Sequence, residues 1–327
     1  MAEHEKQKKE IAELLEKISK YDSSKNKSGY YRDKEAIEKL FESTRENLDE
    51  SKIRIRLTVL DSMYSTQMKM HPFGVEDLAN ALWKCYLKNG SAVLKDKLSQ
   101  ITQNPDKMDT EIQQLFSDTY GAKPNNATAV SLISKYFYFE TGFKFPIYDS
   151  IVREYLPRLY EYCGEPPKGI HANDIIGYIK TINYFFTDVI KYTADESRYD
   201  TLDHLLWVAG KIISGNLSLL LNKEQYEKIT RMIEYINFID KKQKNNIDDS
   251  DRHGYITAFQ EVVKNDLPLS EIADVAFKLP RNKRSKKKRS KRRLIQNDFA
   301  RHRFLHQDRS AVGKAENRCR HVARGFF

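Results

Sequence analysis

Apolar residues recur at helical spacing along almost the whole chain. Within residues 5–21, Ile11, Leu14, Leu15 and Ile18 fall on one face of a Lys/Glu-rich segment. Residues 22–33 are polar and contain Gly29, which predicts a loop, and 34–48 form a second charged helix carrying Ile37, Leu40 and Phe41. The segments then become more apolar. Helices are predicted over 53–68, 74–87, 110–116, 128–139, 150–163, 171–192, 201–213, 222–239 and 255–263, with a polar loop over 241–252. Pro146, Pro157, Pro166 and Pro167 punctuate the series. No stretch alternates with period two between turn residues, and no internal repeat is evident. The predicted class is all-α.

After Pro280 the pattern stops. Residues 281–293 are nearly continuous Lys and Arg with no apolar residue to pack, which predicts disorder unless an anion is bound. The chain therefore divides into charged N-terminal helices (1–50), a helical core (51–280) and a basic tail (281–327).

Charge sharpens that division. The chain has 327 residues, with 56 Lys and Arg against 46 Asp and Glu, a net +10. From Arg281 onward there are 17 basic and 3 acidic residues, a net +14, so the first 280 residues carry −4. Nucleic-acid binding by the body must then rest on a local strip, for which Lys123, Lys135 and Lys144 are candidates. The tail is open to three readings: sequence-blind phosphate binding, an address signal, or an artefact of cloning or frame.

The composition closes several classes. No apolar run reaches the ~18–20 residues of a membrane helix, and residues 1–10 lack the apolar stretch of a secretory signal. Cys85, Cys163 and Cys319 are too far apart for a zinc or iron–sulfur motif. His71, His171 and His253 lie on different segments, so no metal site is expected. The expected setting is reducing and cytoplasmic, for a monomer with no cofactor.

Two segments carry candidate chemistry. The helix through Leu57 and Leu60 ends in Tyr64, Ser65, Thr66 and Gln67, polar groups that either cap carbonyls or enter a DNA groove. Over 128–139, Ala129, Leu132, Ile133, Tyr136, Phe137 and Phe139 form an apolar face, while Ser131, Ser134, Lys135 and Tyr138 share the remaining arc. Lys135 is thus the one cation on a mostly buried helix, a snorkelling lysine or a pocket residue. Pro146-Ile147-Tyr148-Asp149 then precedes a new helix, where Asp149 suits an N-cap. A carboxylate fixed there beside aromatic walls also suits a developing cation.

This order resembles the helix-hairpin-helix superfamily of DNA glycosylases, in particular the bacterial branch similar to 8-oxoguanine glycosylases. The strings that carry the likeness are Ser134-Lys135-Tyr136-Phe137-Tyr138-Phe139, Phe145-Pro146-Ile147-Tyr148-Asp149-Ser150, and the run from Arg198 to Lys211 that resembles the branch's closing helix; together they span residues 53–211. The resemblance implies an enzyme that flips a damaged or modified base out of double-stranded DNA and hydrolyses its N-glycosidic bond, in repair or in defence against phage DNA with modified bases. It implies Asp149 as the catalytic carboxylate, with Tyr64, Ser65, Thr66, Gln67, Ser134, Tyr148, Asp203 and Trp207 at the base pocket or the DNA. Trp207 either stacks on a base or fills the core.

The departures are specific. Where the family's hairpin usually reads like Leu-Pro-Gly-Val-Gly, residues 120–128 keep only Gly121, although Asn125 and Asn126 tolerate a left-handed turn that could still hold a phosphate beside Lys123. The lysine of strand-cleaving members would lie about nineteen residues before the Asp, where Val130 stands; Lys135 is fourteen before it. A monofunctional enzyme is therefore expected, with Lys135 a secondary nucleophile candidate. The alternative is a non-catalytic helical nucleic-acid-binding module of the same ancestry.

Overall fold

The computed structural model describes residues 2–21, 29–64, 74–116, 129–166, 174–192, 198–242, 250–266 and 268–280. Among these there are thirteen α-helices and no strand, so the chain is all-α. The helices are α1 (Ala2–Ser19), α2 (Gly29–Ser43), α3 (Glu50–Tyr64), α4 (Val75–Asn89), α5 (Ser91–Gln103), α6 (Thr110–Phe116), α7 (Val130–Glu140), α8 (Ser150–Tyr162), α9 (Ile175–Tyr184), α10 (Arg198–Ser214), α11 (Lys223–Lys242), α12 (Ser250–Val263) and α13 (Leu269–Lys278). No described helix is long and apolar enough to cross a membrane.

Residues 1–280 form one compact unit, and residues 281–327, the basic tail expected to be disordered, lie outside the described residues. The apolar stripe of α1 (Ile11, Leu14, Leu15, Ile18) is buried in the first unit, where α1 packs against α10. The charged N-terminal helices are thereby built into the same body as the core.

Several boundaries differ from the periodicity. The segment read as a loop up to residue 33 is helical from Gly29 onward. Helix α5 follows α4 after one residue, Gly90, whose φ of +76° breaks the path as only glycine does at low cost. Its buried Leu94, Leu98 and Ile101 keep helical spacing within a polar run. The helix predicted over 150–163 is borne out as α8, with Pro157 inside it leaving the Arg153 carbonyl without its usual donor. The predicted helix over 171–192 is α9 followed by a π-helical turn at Phe185–Val189.

Helix α7 runs through the interior. Every residue from Leu132 to Glu140 is buried. Its polar groups are met individually, as burial requires. Arg56 of α3, with no exposed side-chain surface, donates to Glu140 Oε2 at 2.9 Å, to the Tyr136 hydroxyl at 3.3 Å, to the Phe41 carbonyl at 2.7 Å and to Thr44 Oγ1 at 2.7 Å. Its guanidinium also lies 4.4 Å from the Phe41 ring centroid. This network ties α2, α3 and α7 together and fixes the helix that carries Lys135.

Candidate functional site

The loop between α7 and α8 is shaped by its own residues. Gly142 (φ +64°) and Phe143 (φ +70°) are both left-handed. Such a φ is costly for phenylalanine, and several contacts hold it: its N–H donates to the Tyr138 carbonyl at 2.7 Å, and its ring meets those of Tyr138 at 4.9 Å and Phe139 at 5.7 Å, with Lys34 Nζ 4.1 Å above its centroid. Further on, Ser134 Oγ accepts from the Tyr148 N–H at 3.0 Å, and its hydroxyl lies 3.1 Å from the Ser131 carbonyl and 3.3 Å from that of Tyr148. Tyr148 stacks edge-on against Tyr178 at 4.9 Å, and Tyr178 donates to the Ile147 carbonyl. Ser134 and Tyr148 are therefore buried, where they position the loop from inside.

The loop delivers Asp149 to the start of α8. Its Oδ1 accepts from the backbone N–H of Ile151 at 2.9 Å and of Val152 at 3.0 Å, the N-cap predicted for it. Its Oδ2 accepts from Lys135 Nζ at 3.2 Å. The Lys135 side chain is 3% exposed and that of Asp149 18%. Lys135 does not snorkel to solvent and is no part of a surface strip. It also donates to Ser131 Oγ at 2.9 Å and lies 5.3 Å from the Tyr64 ring centroid. A carboxylate has about four acceptor positions; among the described residues three are engaged, two on Oδ1 and one on Oδ2.

Helix α10 supplies the other wall. Between Thr201 and Gly210 only Asp203 and Trp207 are half-exposed, and Lys211 continues the stripe at i, i+4 and i+8. Lys211 Nζ lies 5.3 Å from the Trp207 ring centroid, and Trp207 also packs on the core. Gly210 lets α10 approach the first turns of α8: a Cβ there would be 2.9 Å from Tyr155 Cε2 and 3.3 Å from Ile151 Cγ2. Next to the stripe, Lys34 of α2 pairs with Asp200 Oδ1 at 2.5 Å, and the Tyr138 hydroxyl donates to the same oxygen.

The electrostatics separate the two central carboxyls. Burial acts to raise Asp149, but Lys135 and the N–H groups of Val152 and Ile151 more than offset it and hold the carboxyl below its ordinary range. Asp203 goes the other way. Burial, then the charges of Asp149 and Asp200, push it up to about 7 against the opposing pull of Lys135 and Lys34. Burial also raises the Tyr64 phenol, with Asp203 and Asp200 adding to it, and lowers the Lys211 amine, which Asp149 partly restores.

Asp203 carries a stability signature. Its proton is bound more tightly in the folded chain than in the unfolded one. The resulting stability is fully present below about pH 4 and is lost as pH rises through about 7. Asp203→Asn removes the ionisation, so thermal denaturation is expected to find it more stable than the wild type at pH 8, by on the order of 2–4 kcal/mol. The gap should close toward pH 4; equal gaps at both pH values would contradict the assignment.

The site thus brings together Asp149, Lys135 and Tyr64, with Asp203 near enough for its charge to couple to theirs, while Trp207 lies one turn along α10 from Asp203. Ser65, Thr66, Gln67, Lys123, Asn125 and Asn126 lie outside the described residues, and Lys144 is half-buried. Sequence reasoning did not single out Lys211, Lys34 or Asp200. Lys211 was legible from the four-residue spacing after Asp203 and Trp207; the Lys34–Asp200 pair joins residues 166 apart and had no local signal. His204 and Asp266 line a separate cavity of about 20 Å³, room for one water and not for a base. No group of three or more metal-ligating side chains occurs among the described residues. Compared with profiles of known protein families, with curated proteins and with solved structures, the chain matches none of them.

Proposed function

We propose that the protein is a monofunctional DNA glycosylase of helix-hairpin-helix type, excising a damaged or modified base from duplex DNA by hydrolysis. The observation that carries this reading is Asp149. It is an anionic carboxylate locked by two backbone N–H groups and one lysine, with its side chain still 18% exposed. The likeness of residues 134–150 and 198–211 to that family supports it from the sequence side.

Breaking an N-glycosidic bond builds positive charge on the sugar at C1′ and O4′. A fixed anion stabilises that charge, and one already oriented does so without reorganising as the bond breaks. A carboxyl held below its ordinary range is a weak base. Asp149 therefore acts as an electrostatic partner and orients the attacking water. The water oxygen bonds to C1′ as the base departs with the bonding electrons. Lys135 positions Asp149: its ammonium is buried between Ser131, Asp149 and Tyr64, and attack on the sugar would require breaking both bonds. Trp207 offers a stacking face for the flipped base, and Lys211 a cation for the flanking phosphate.

The test incubates the full chain with duplexes carrying oxidised, deaminated, alkylated and glucosylated bases, and detects free base by mass spectrometry. Release from at least one class, with alkali-labile abasic sites in equal amount, is the expected result. Release from none would overturn the reading.

A further inference from the structure

We propose that Asp203 is the acid of this site, giving a proton to the departing base, and that the substrate base is one that is neutral while attached to the sugar. The inference rests on the base-excision reading above. Its geometric ground is the wall formed by α10. On a helix buried at every other position from Thr201 to Gly210, Asp203 and Trp207 alone are half-exposed, and the close seat of Gly210 on Tyr155 and Ile151 sets this wall beside the start of α8, where Asp149 is fixed. A carboxyl one turn from the partly exposed Trp207 indole is placed to reach the edge of a base packed on that side of α10.

The charges around Asp203 suit the role. Asp149 from α8, Asp200 from its own helix, Lys135 from α7 and Lys34 from α2 act on it, and the phenols of Tyr64 (α3) and Tyr178 (α9) feel its charge in turn. Burial first, then Asp149 and Asp200 against Lys135 and Lys34, keeps Asp203 protonated up to about pH 7 while Asp149 is ionised. Two carboxyls with opposed protonation in one site are the arrangement that divides acid from electrostatic work.

The chemistry then selects the substrate. As the C1′–N bond breaks, its electron pair moves to the base and the Asp203 proton goes to a ring nitrogen or exocyclic oxygen. The water that adds to C1′ loses one proton, which restores Asp203 through solvent. The sum is addition of one water across the bond. A purine alkylated at N7 or N3 is already cationic and leaves as a neutral molecule, so it gains nothing from this acid. A neutral base leaves as an anion unless it is protonated, and gains in full.

The experiment measures single-turnover release by the full chain from duplexes carrying uracil, hypoxanthine, 8-oxoguanine or glucosylated hydroxymethylcytosine, all neutral, and 7-methylguanine or 3-methyladenine, both cationic. Release is expected from neutral members, with a wild-type rate falling about tenfold per pH unit above about 7. Asp203→Asn should be at least a hundredfold slower, with that limb flattened, and Asp203→Glu should retain it. The higher stability expected of Asp203→Asn at pH 8 separates this loss from unfolding. Release confined to cationic bases, or an Asp203→Asn variant that keeps the wild-type rate and pH limb, would overturn the assignment while leaving base excision standing. Release from no member would overturn the excision reading itself and this inference with it.

Discussion

Glu140→Gln is expected to destabilise the protein by about 3–5 kcal/mol, the cost of leaving a buried charge without its partner. Arg56 has no exposed side-chain surface and cannot shed its proton, so the variant leaves a guanidinium in the core with neutral acceptors alone: Thr44, Phe41, Tyr136 and the new amide oxygen at 140. The reverse deletion should be milder. Burial already raises the Glu140 carboxyl, so in Arg56→Met it can take up a proton and become neutral. Thermal melts at pH 6 test the asymmetry. A fall on the order of 10 °C is expected for Glu140→Gln, and a smaller one for Arg56→Met. Equal losses would mean that the packing of Arg56 on Phe41, and not its charge, dominates.

The second large effect concerns the chemistry. Asp149→Asn should lower base release by a hundredfold or more, the scale seen when a fixed electrostatic partner of a transition state is lost. The fold should tolerate the change. The asparagine carbonyl oxygen can still accept from Ile151 and Val152 as an N-cap. The Lys135 bond is weakened, since its acceptor is no longer charged. The separation to look for is therefore lost turnover with duplex binding retained. Loss of both together would mean that Asp149 serves the fold first.

The legible parts of the site were the local ones. An N-cap is decided within three residues, so Pro-Ile-Tyr-Asp before an apolar-periodic segment marks Asp149 directly. The spacing of α7 likewise identified Lys135 as a cation on an apolar helix, but not its partner. The bond to Asp149 depends on the left-handed pair Gly142 and Phe143 turning the chain back on itself. What was not legible is long-range. Arg56 and Glu140 are 84 residues apart, and neither looks unusual on its own helix. The Asp203 carboxyl is raised first by burial and then by the charges of Asp149 and Asp200, against Lys135 and Lys34, a combination that no window of sequence contains. In the fold, α5 escaped because its apolar residues are few and sit among Lys, Asp, Ser and Gln. The helix predicted over 150–163 runs through Pro157 because tertiary packing, here Leu156 and Leu159 in the core, outweighs one lost hydrogen bond.

Whether Asp149 stabilises positive charge on the sugar of a bound nucleotide can be tested without knowing the base. Two duplexes are compared, one holding an uncharged tetrahydrofuran abasic analogue and one a pyrrolidine analogue whose ring nitrogen is cationic. The full chain should bind the cationic duplex at least about tenfold more tightly, ~1.4 kcal/mol, and Asp149→Asn should erase that preference. Equal affinity for the two duplexes, or a preference that survives Asp149→Asn, would contradict the account.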